Sequence, residues 1–414
     1  MALQNWLDSG TPRQLFFTSP EQRVALARQR FFEEGIRPSG MVAEPVIQSW
    51  MRCTTARTQA SASPTFDPVT PSRLHSALSR NRELLEVARQ ELASMESTLA
   101  GTDCRVLLTD AQGVIVHATH NPLAAQAPLL HLAARVGVNI SETAMGTTAP
   151  GIVAKTGQAS MVLGAEHYYD CLQNFQCAAA PIRDVKGRLA GVLNVSVESR
   201  NFGFDAASVI GLYATSIENS LLQAQSSEHL LVRFQASPAL LGTPMEALAG
   251  ITSDGRVEWL NVAASRLLGQ RTELLPQPVE AVFGVRLSEL LELLRTDTVK
   301  GFRLPNGLGV WAKVRLVARD GVDFDHAVAR PILPAVASSE PPVEASRVSA
   351  VAPTMADETT LVDHSRKFIE DTLAACDGNI SRAARALSVS RGTLYRRLKG
   401  WQAKASSSDK AALQ

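Results

Sequence analysis

Residues 334–358 read PAVASSEPPVEASRVSAVAPTMADE, a run of Pro, Ala, Ser and Val with neither the 3.6-residue period of a helix nor the alternation of a strand. Such a run cannot present an apolar face to a core, and it reads as a linker. It rules out one core running through the chain. About 330 residues of mixed pattern precede it and a short helical unit follows. At about 150 residues per domain, the chain's 414 residues predict two to four domains. Hydrophobic residues at 45% and charged residues at 20% leave ample material for cores, which excludes global disorder or a rod.

Charge separates the two sides of the linker. From Asn379 to Lys404 the chain carries seven Arg and Lys and no acid. The whole chain is +1, so everything outside that +7 run sums to −6. Solvated faces normally mix signs, so an acid-free basic run of this length points to a polyanion rather than to bulk water.

No apolar run approaches the roughly 18 residues of a membrane span. The start, MALQNWLDSGTPRQ, lacks the basic-then-apolar order of a signal peptide. A cytoplasmic location without membrane contact is expected. Five scattered cysteines (Cys53, Cys104, Cys171, Cys177, Cys376) argue for reduced thiols rather than a disulfide framework.

The fold class expected is α+β multidomain. Residues 1–95 form a helical segment, in which EQRVALARQRFFEEG and the run from Pro71 to Gly101 space apolar residues at three and four. From Cys104 the period becomes two. CRVLLTDAQGVIVHAT reads strand, turn at Asp110–Gly113, strand; CAAAPIRDVKGRLAGVLNVSVES repeats the device around Asp184–Gly187. A helix is predicted from Asp205 to about Gln225, apolar at Val209, Leu212, Ile217 and Leu221. Residues 96–226 therefore read as an antiparallel sheet flanked by helices. A second α+β module is predicted over 230–333, with strands around Asp254–Gly255, a short helix, and closing strands around Asn306–Gly307.

Beyond the linker, 359–402 reads as three helices and 403–414 as a tail. Leu361, Val362, Phe368, Ile369 and Leu373 share one side of the first helix, which ends at Gly378. Asn379 caps a short second helix, and Ser390 caps a third after a tight turn, giving a helix-turn-helix. At 100° per residue, Leu394, Leu398 and Trp401 cluster on one side of the third helix while Thr393, Arg396 and Lys399 point away. A helix docked by its apolar face and basic on the other fits the major groove of DNA, with Arg391 best placed to read a base edge.

The chain carries three resemblances. GNISRAARALSVSRGTLYRRLKGW resembles the Fis-type helix-turn-helix of the Fis nucleoid protein and of bacterial enhancer-binding activators. The resemblance implies that Asn379, Ser381 and Thr393 contact phosphates, that Ser390 and Arg391 face bases, and that Arg396, Arg397 and Lys399 grip the backbone, with Arg382 on the same surface. It also implies a homodimer formed through the preceding helix. Upstream, IQSWMRC, SETAMGTTAPGIVAKTG and GAEHYYDCLQNFQCAAAPIRDVKGRLAGVLNVS resemble the sensor half of the acetoin-catabolism type of sigma-54-dependent activators, a GAF domain. Residues 246–318 are similar to a PAS domain. Thr148 stands where that family usually has Asn.

The GAF resemblance implies a pocket for a small-molecule effector between the sheet and residues 138–180, with Glu142, Thr147, His167 and Tyr168 as its polar lining. A closed core without ligand is the alternative at this stage. Activators of this type ordinarily place an ATPase of the AAA+ class between sensor and helix-turn-helix. A phosphate-binding loop needs G-x-x-x-x-G-K-[ST], and none of the 26 glycines is followed by Lys.

His167, Cys171 and Cys177 match no standard zinc spacing, so no metal site is expected. His117 and His120 are read as ordinary loop or pocket residues. Neither H-E-x-x-H nor G-x-S-x-G occurs, and neither an enzyme nor a cofactor is expected. The expected partners are double-stranded DNA, a small effector, a second copy of the chain, and RNA polymerase or a full-length activator relative. The competing reading is an interaction protein that titrates such an activator through mixed oligomers.

Overall fold

The computed structural model describes residues 19–316, apart from 57–58, 124–126 and 271. The linker and the helix-turn-helix, with Asn379, Ser381, Arg382, Ser390, Arg391, Thr393, Arg396, Arg397 and Lys399, lie outside the described residues. Among the described residues no helix is long and apolar enough to cross a membrane.

Four helices come first: α1 (Pro20–Phe32), α2 (Glu44–Thr55), α3 (Pro71–Arg80) and α4 (Arg82–Leu99). Their starts are written in the sequence. Ser19 Oγ accepts from Gln22 N and Thr70 Oγ1 from Arg73 N, each followed by a proline whose missing N–H costs a first turn nothing. In α4 the buried residues Leu84, Ala88, Leu92, Met95 and Leu99 make one stripe.

The first sheet is built from β1 (Arg105–Asp110), β2 (Ile115–Ala118), β3 (Ser160–Leu163), β4 (Phe175–Arg183) and β5 (Leu189–Glu198), all antiparallel in the order β2-β1-β5-β4-β3. Both predicted hairpins form. Asp184 Oδ1 accepts from Lys186 N and Arg188 N, fixing the β4–β5 turn.

Strand alternation sorts this sheet into two cores. Leu107, Cys177, Ala179 and Val192 face a cluster with α1, α2 and the short helices α5 (Pro128–Ala133), α6 (Glu142–Met145) and α7 (Ala149–Thr156). Val106, Leu108, Ala178, Leu193 and Val195 face α4 and α8 (Ala206–Ala224). The result is three layers, helices on both faces of one sheet. The N-terminal helices supply both outer layers, and position 95/96, drawn from sequence as a boundary, falls inside α4.

One sequence expectation is corrected here. The core stripe of α8 is Ala206, Ile210, Ala214, Ile217 and Leu221, whereas Leu212 is 49% exposed. Asp205, where the helix is predicted to begin, caps it through Ser208 N.

The second sheet contains β6 (Leu230–Gln235), β7 (Ala247–Ile251), β8 (Arg256–Leu260), β9 (Gln277–Pro278), β10 (Lys300–Arg303) and β11 (Gly309–Leu316), in the order β10-β11-β6-β7-β8-β9. Helices α9 (Val262–Leu268), α10 (Val279–Phe283) and α11 (Leu287–Thr296) cover one face, around Phe234 and Phe283. β6, absent from the sequence reading, is a central strand. The other face brings Leu231, Leu248 and Trp259 against Leu222 of α8. Asn219 of α8 accepts from Asn261 Nδ2 at 2.9 Å, tying the two modules by side chains as well as by chain. Gly250 makes room for this junction: a Cβ there would lie 2.0 Å from Trp259 Nε1.

Candidate functional site

The features read from sequence as a pocket converge on the face of the first sheet that carries α2, α6 and α7. Helix α2 buries Val46, Ile47, Trp50 and Cys53 at helical spacing. Full burial of such chains is worth about 1.5–3 kcal/mol each relative to exposure, which anchors α2 on this face. That anchoring aims Ser49 and Arg52 at α6. Arg52 donates from Nε to Glu142 Oε1 at 2.6 Å and from its terminal nitrogen to Oε2 at 2.7 Å. Ser49 Oγ donates to the same Oε2 at 2.6 Å and lies 2.8 Å from Thr147 Oγ1. Burial, with Glu142 nearby, pushes the Cys53 thiol up to about 11, so it is protonated beside this cluster.

Gly146 makes the turn between α6 and α7. Its φ of 64° and ψ of −150° belong to a region that side chains avoid, and a Cβ would lie 2.8 Å from Tyr168 Cβ. Thr148 then caps α7 through Gly151 N, and Gly157 closes it in the left-handed conformation.

The loop 164–170 is held from α1 and α2. Arg28 donates to the carbonyls of Ala165, His167 and Tyr168 and to Asp170 Oδ1, with its guanidinium 4.7 Å from the Phe32 ring centroid. Trp50 Nε1 donates to Glu166 O at 2.8 Å. Burial raises the Glu166 carboxyl, offset by the N–H of Leu163 that it accepts. These contacts seat His167 over Phe175 and turn Tyr168 toward Phe32 and Gly146.

Between this loop and the sheet lies a cavity of about 40 Å³. Its wall includes Phe66, Leu130, Ile140, Met145, Phe175 and Leu172, with Thr148, His167, Cys177, Asn194 and Ser196 as polar members. His167 is 1% exposed, and burial lowers its imidazole to about 4, leaving the ring neutral. Cys177, fully enclosed against Ser196 Oγ at 3.2 Å, has its thiol pushed up to about 12 by burial.

Of the four lining residues implied by the resemblance, the structure brings only His167 to the cavity wall. Glu142 and Thr147 join α2 to α6, and Tyr168 packs under α1. The sequence reading missed Asn194 and Ser196. Their signal was present: in the strand GVLNVSVE the polar residues occupy alternate positions, on the same face as Cys177 across β4. His117 and His120 stand apart near Glu96, which accepts from His120 N; burial lowers the His117 imidazole. Among the described residues no group of three or more His, Cys, Asp or Glu is placed to hold a metal ion.

Comparison with known proteins finds two matched segments. Residues 20–211 match the family described as the MimR N-terminal domain, a span from the first residue of α1 into α8. Residues 360–401 match the Fis family of bacterial regulatory proteins. The acetoin catabolism regulatory protein of Cupriavidus necator is 29% identical over 228 residues, 53% of this chain and 34% of that protein. The acetoin dehydrogenase operon transcriptional activator AcoR of Bacillus subtilis is 26% identical over 172 residues, 41% of this chain and 28% of that protein. The propane 2-monooxygenase operon transcriptional activator MimR of Mycolicibacterium smegmatis is 26% identical over 179 residues, 42% and 29% of the two chains. This chain thus spans about a third of the length of these relatives. A solved structure titled as the Escherichia coli DhaR(N)–DhaL complex aligns with TM-score 0.41 at 17% identity, covering 66% of this chain and 99% of that one. The chain is similar to the acetoin-catabolism and MimR-type transcriptional activators, and it matches the MimR N-terminal domain family at 20–211 and the Fis family of bacterial regulatory proteins at 360–401.

Proposed function

We propose that this protein is a transcriptional regulator that binds duplex DNA as a homodimer through 359–402 and responds to a small-molecule effector taken up by the GAF-like module. The observation that carries the reading is a coincidence of two signals. The Fis-family match at 360–401 overlies the acid-free basic run from Asn379 to Lys404. In this reading Arg391 and Ser390 face bases, Asn379, Ser381, Arg382 and Thr393 hold phosphates, and Arg396, Arg397 and Lys399 grip the backbone.

The module at 230–333 acts as a PAS-like relay. Its six-stranded antiparallel sheet, with helices on one face and α8 on the other, supports that assignment. No glycine in these 414 residues precedes a lysine, so they contain no G-x-x-x-x-G-K-[ST] loop, and in this reading regulation proceeds by DNA occupancy without ATP hydrolysis. The same feature favours a second reading, in which the chain forms mixed oligomers with a full-length activator and modulates it.

Chromosomal occupancy of the tagged protein in its host tests the first reading. Discrete sites whose occupancy changes with carbon source are expected; their absence, with the protein recovered on a full-length activator instead, establishes the second. Measurable ATP hydrolysis by the purified chain refutes both.

A further inference from the structure

Residues of the β4–β5 hairpin in the first module and of β8 and α9 in the second line a cleft of about 730 Å³. It shares no lining residue with the small cavity around His167. Its volume falls within the about 300–1,000 Å³ usual for sites that hold small organic molecules. The apolar part of the lining comes from both modules: Leu222 on α8, Trp259 and Leu260 on β8, and Leu275 beyond α9. A carbon skeleton placed there leaves water for apolar surface.

The charges in the lining divide into those already matched and those left over. Asp184 meets Arg188 at 2.7 Å, and Glu258 meets His229 Nε2 at 2.5 Å. Glu218 accepts from Arg183 N at 2.8 Å, with the Arg183 guanidinium 3.8 Å away. Every acid in the lining therefore has a basic partner. Lys186, in the hairpin turn, and Arg266, on α9, have side chains with neither a hydrogen bond nor an ion pair among the described residues. Val262, Ser265 and Arg266 stand three and four apart, so one face of α9 brings all three to the cleft. Ser265 Oγ is enclosed and lacks a hydrogen-bond partner. Two unmatched cations repel an ammonium and attract an oxyanion, and the Arg266 fork suits the paired oxygens of a carboxylate or phosphate.

We propose that this cleft binds an amphiphilic organic oxyanion, a carboxylate or phosphate monoester on an aromatic or branched apolar body, with its head at Lys186 and Arg266 and its body against Leu222, Trp259 and Leu260. The site goes beyond an effector in the first module and does not depend on one. An occupant touches both modules at once, so it reinforces the junction that the Asn219–Asn261 hydrogen bond already ties.

The test is calorimetric titration of the full chain with ligands that share one ring system and differ in the head: 1-naphthoate, 1-naphthyl phosphate, 1-naphthol and 1-naphthylmethylammonium, beside inorganic phosphate, which has no body. At least one of the two naphthyl anions is expected to bind about tenfold more tightly than 1-naphthol and than inorganic phosphate, and the tighter of the two names the head group. Lys186 and Arg266 are exposed, so their replacement leaves both cores untouched. The double variant Lys186→Gln, Arg266→Gln is expected to lose the preference for the anion while keeping 1-naphthol within about threefold. An anion preference that persists in the double variant places the binding elsewhere, as on the basic run from Asn379 to Lys404, and overturns the proposal. So does 1-naphthol or the ammonium binding as tightly as the anions, inorganic phosphate binding as tightly as the naphthyl anions, or no binding of any naphthyl ligand. Each of these outcomes leaves the DNA-binding reading standing, because that reading is tested on duplex DNA.

Discussion

Arg52 on α2 grips both oxygens of the Glu142 carboxylate on α6, at 2.6 and 2.7 Å, across 90 residues of sequence. Glu142 is nearly enclosed while Arg52 is 39% exposed, so solvent screens one side of the pair only. Arg52→Ala leaves a buried carboxylate with Ser49 alone and is expected to cost about 1–3 kcal/mol in chemical denaturation. Arg52→Lys should recover only part, since an ammonium cannot make the two-pronged contact. Wild-type stability in Arg52→Ala would show that α2 is held by its apolar stripe alone.

Acidification is expected to destabilise the first module through His167. Burial lowers its imidazole to about 4 in the folded chain, whereas the unfolded value is 6.5. Between those values the unfolded state binds the extra proton, so stability falls as pH drops from 6.5 toward 4, with a slope of up to about 1.4 kcal/mol per unit. His167→Gln should flatten that limb of the stability–pH curve by one proton and leave the profile above pH 7 unchanged. Parallel curves for the two proteins would contradict this.

Gly146→Ala should destabilise by about 1–3 kcal/mol, because φ of 64° with ψ of −150° is strained for alanine and the new methyl meets Tyr168. Gly187→Ala is the control. Its φ is also positive, at 70°, but nothing lies within 4 Å, so backbone strain acts there without the collision. Thermal unfolding is expected to show the larger loss for Gly146→Ala, and an equal or larger loss for Gly187→Ala would contradict it.

The hairpins were legible in sequence because Asp-x-x-Gly between alternating runs specifies a turn locally, as Asp184 and Gly187 do. β6 was not. Leu230–Gln235 has no flanking turn dipeptide, and its central place depends on pairing with β11 some 80 residues away. The face of α8 was misread because Val209 and Leu212 make the helix apolar on more than one side, so the period alone does not choose. At the site, the segment was legible and the directions were not. Glu142 and Thr147 look like pocket residues until Ser49 and Arg52 arrive from α2, and the alternation that marks Asn194 gains a direction when the sheet register sets it beside Leu107.

Within the C-terminal segment, Arg391→Ala should weaken a cognate duplex by about 1–3 kcal/mol and leave random DNA nearly unaffected. Arg396→Ala should weaken all duplexes alike and reduce the salt slope by about one. Identical losses on cognate and random DNA for both variants would contradict the assigned roles.

Salt-dependent binding of the purified full chain to duplex DNA is the most direct measurement. From about 50 to 200 mM salt, affinity should fall log-linearly, with a slope near −0.9 for each phosphate contacted, and two chains should bind per site. No binding to any duplex at the low-salt end, by a chain that is folded and dimeric, would contradict the assignment of this protein as a DNA-binding regulator.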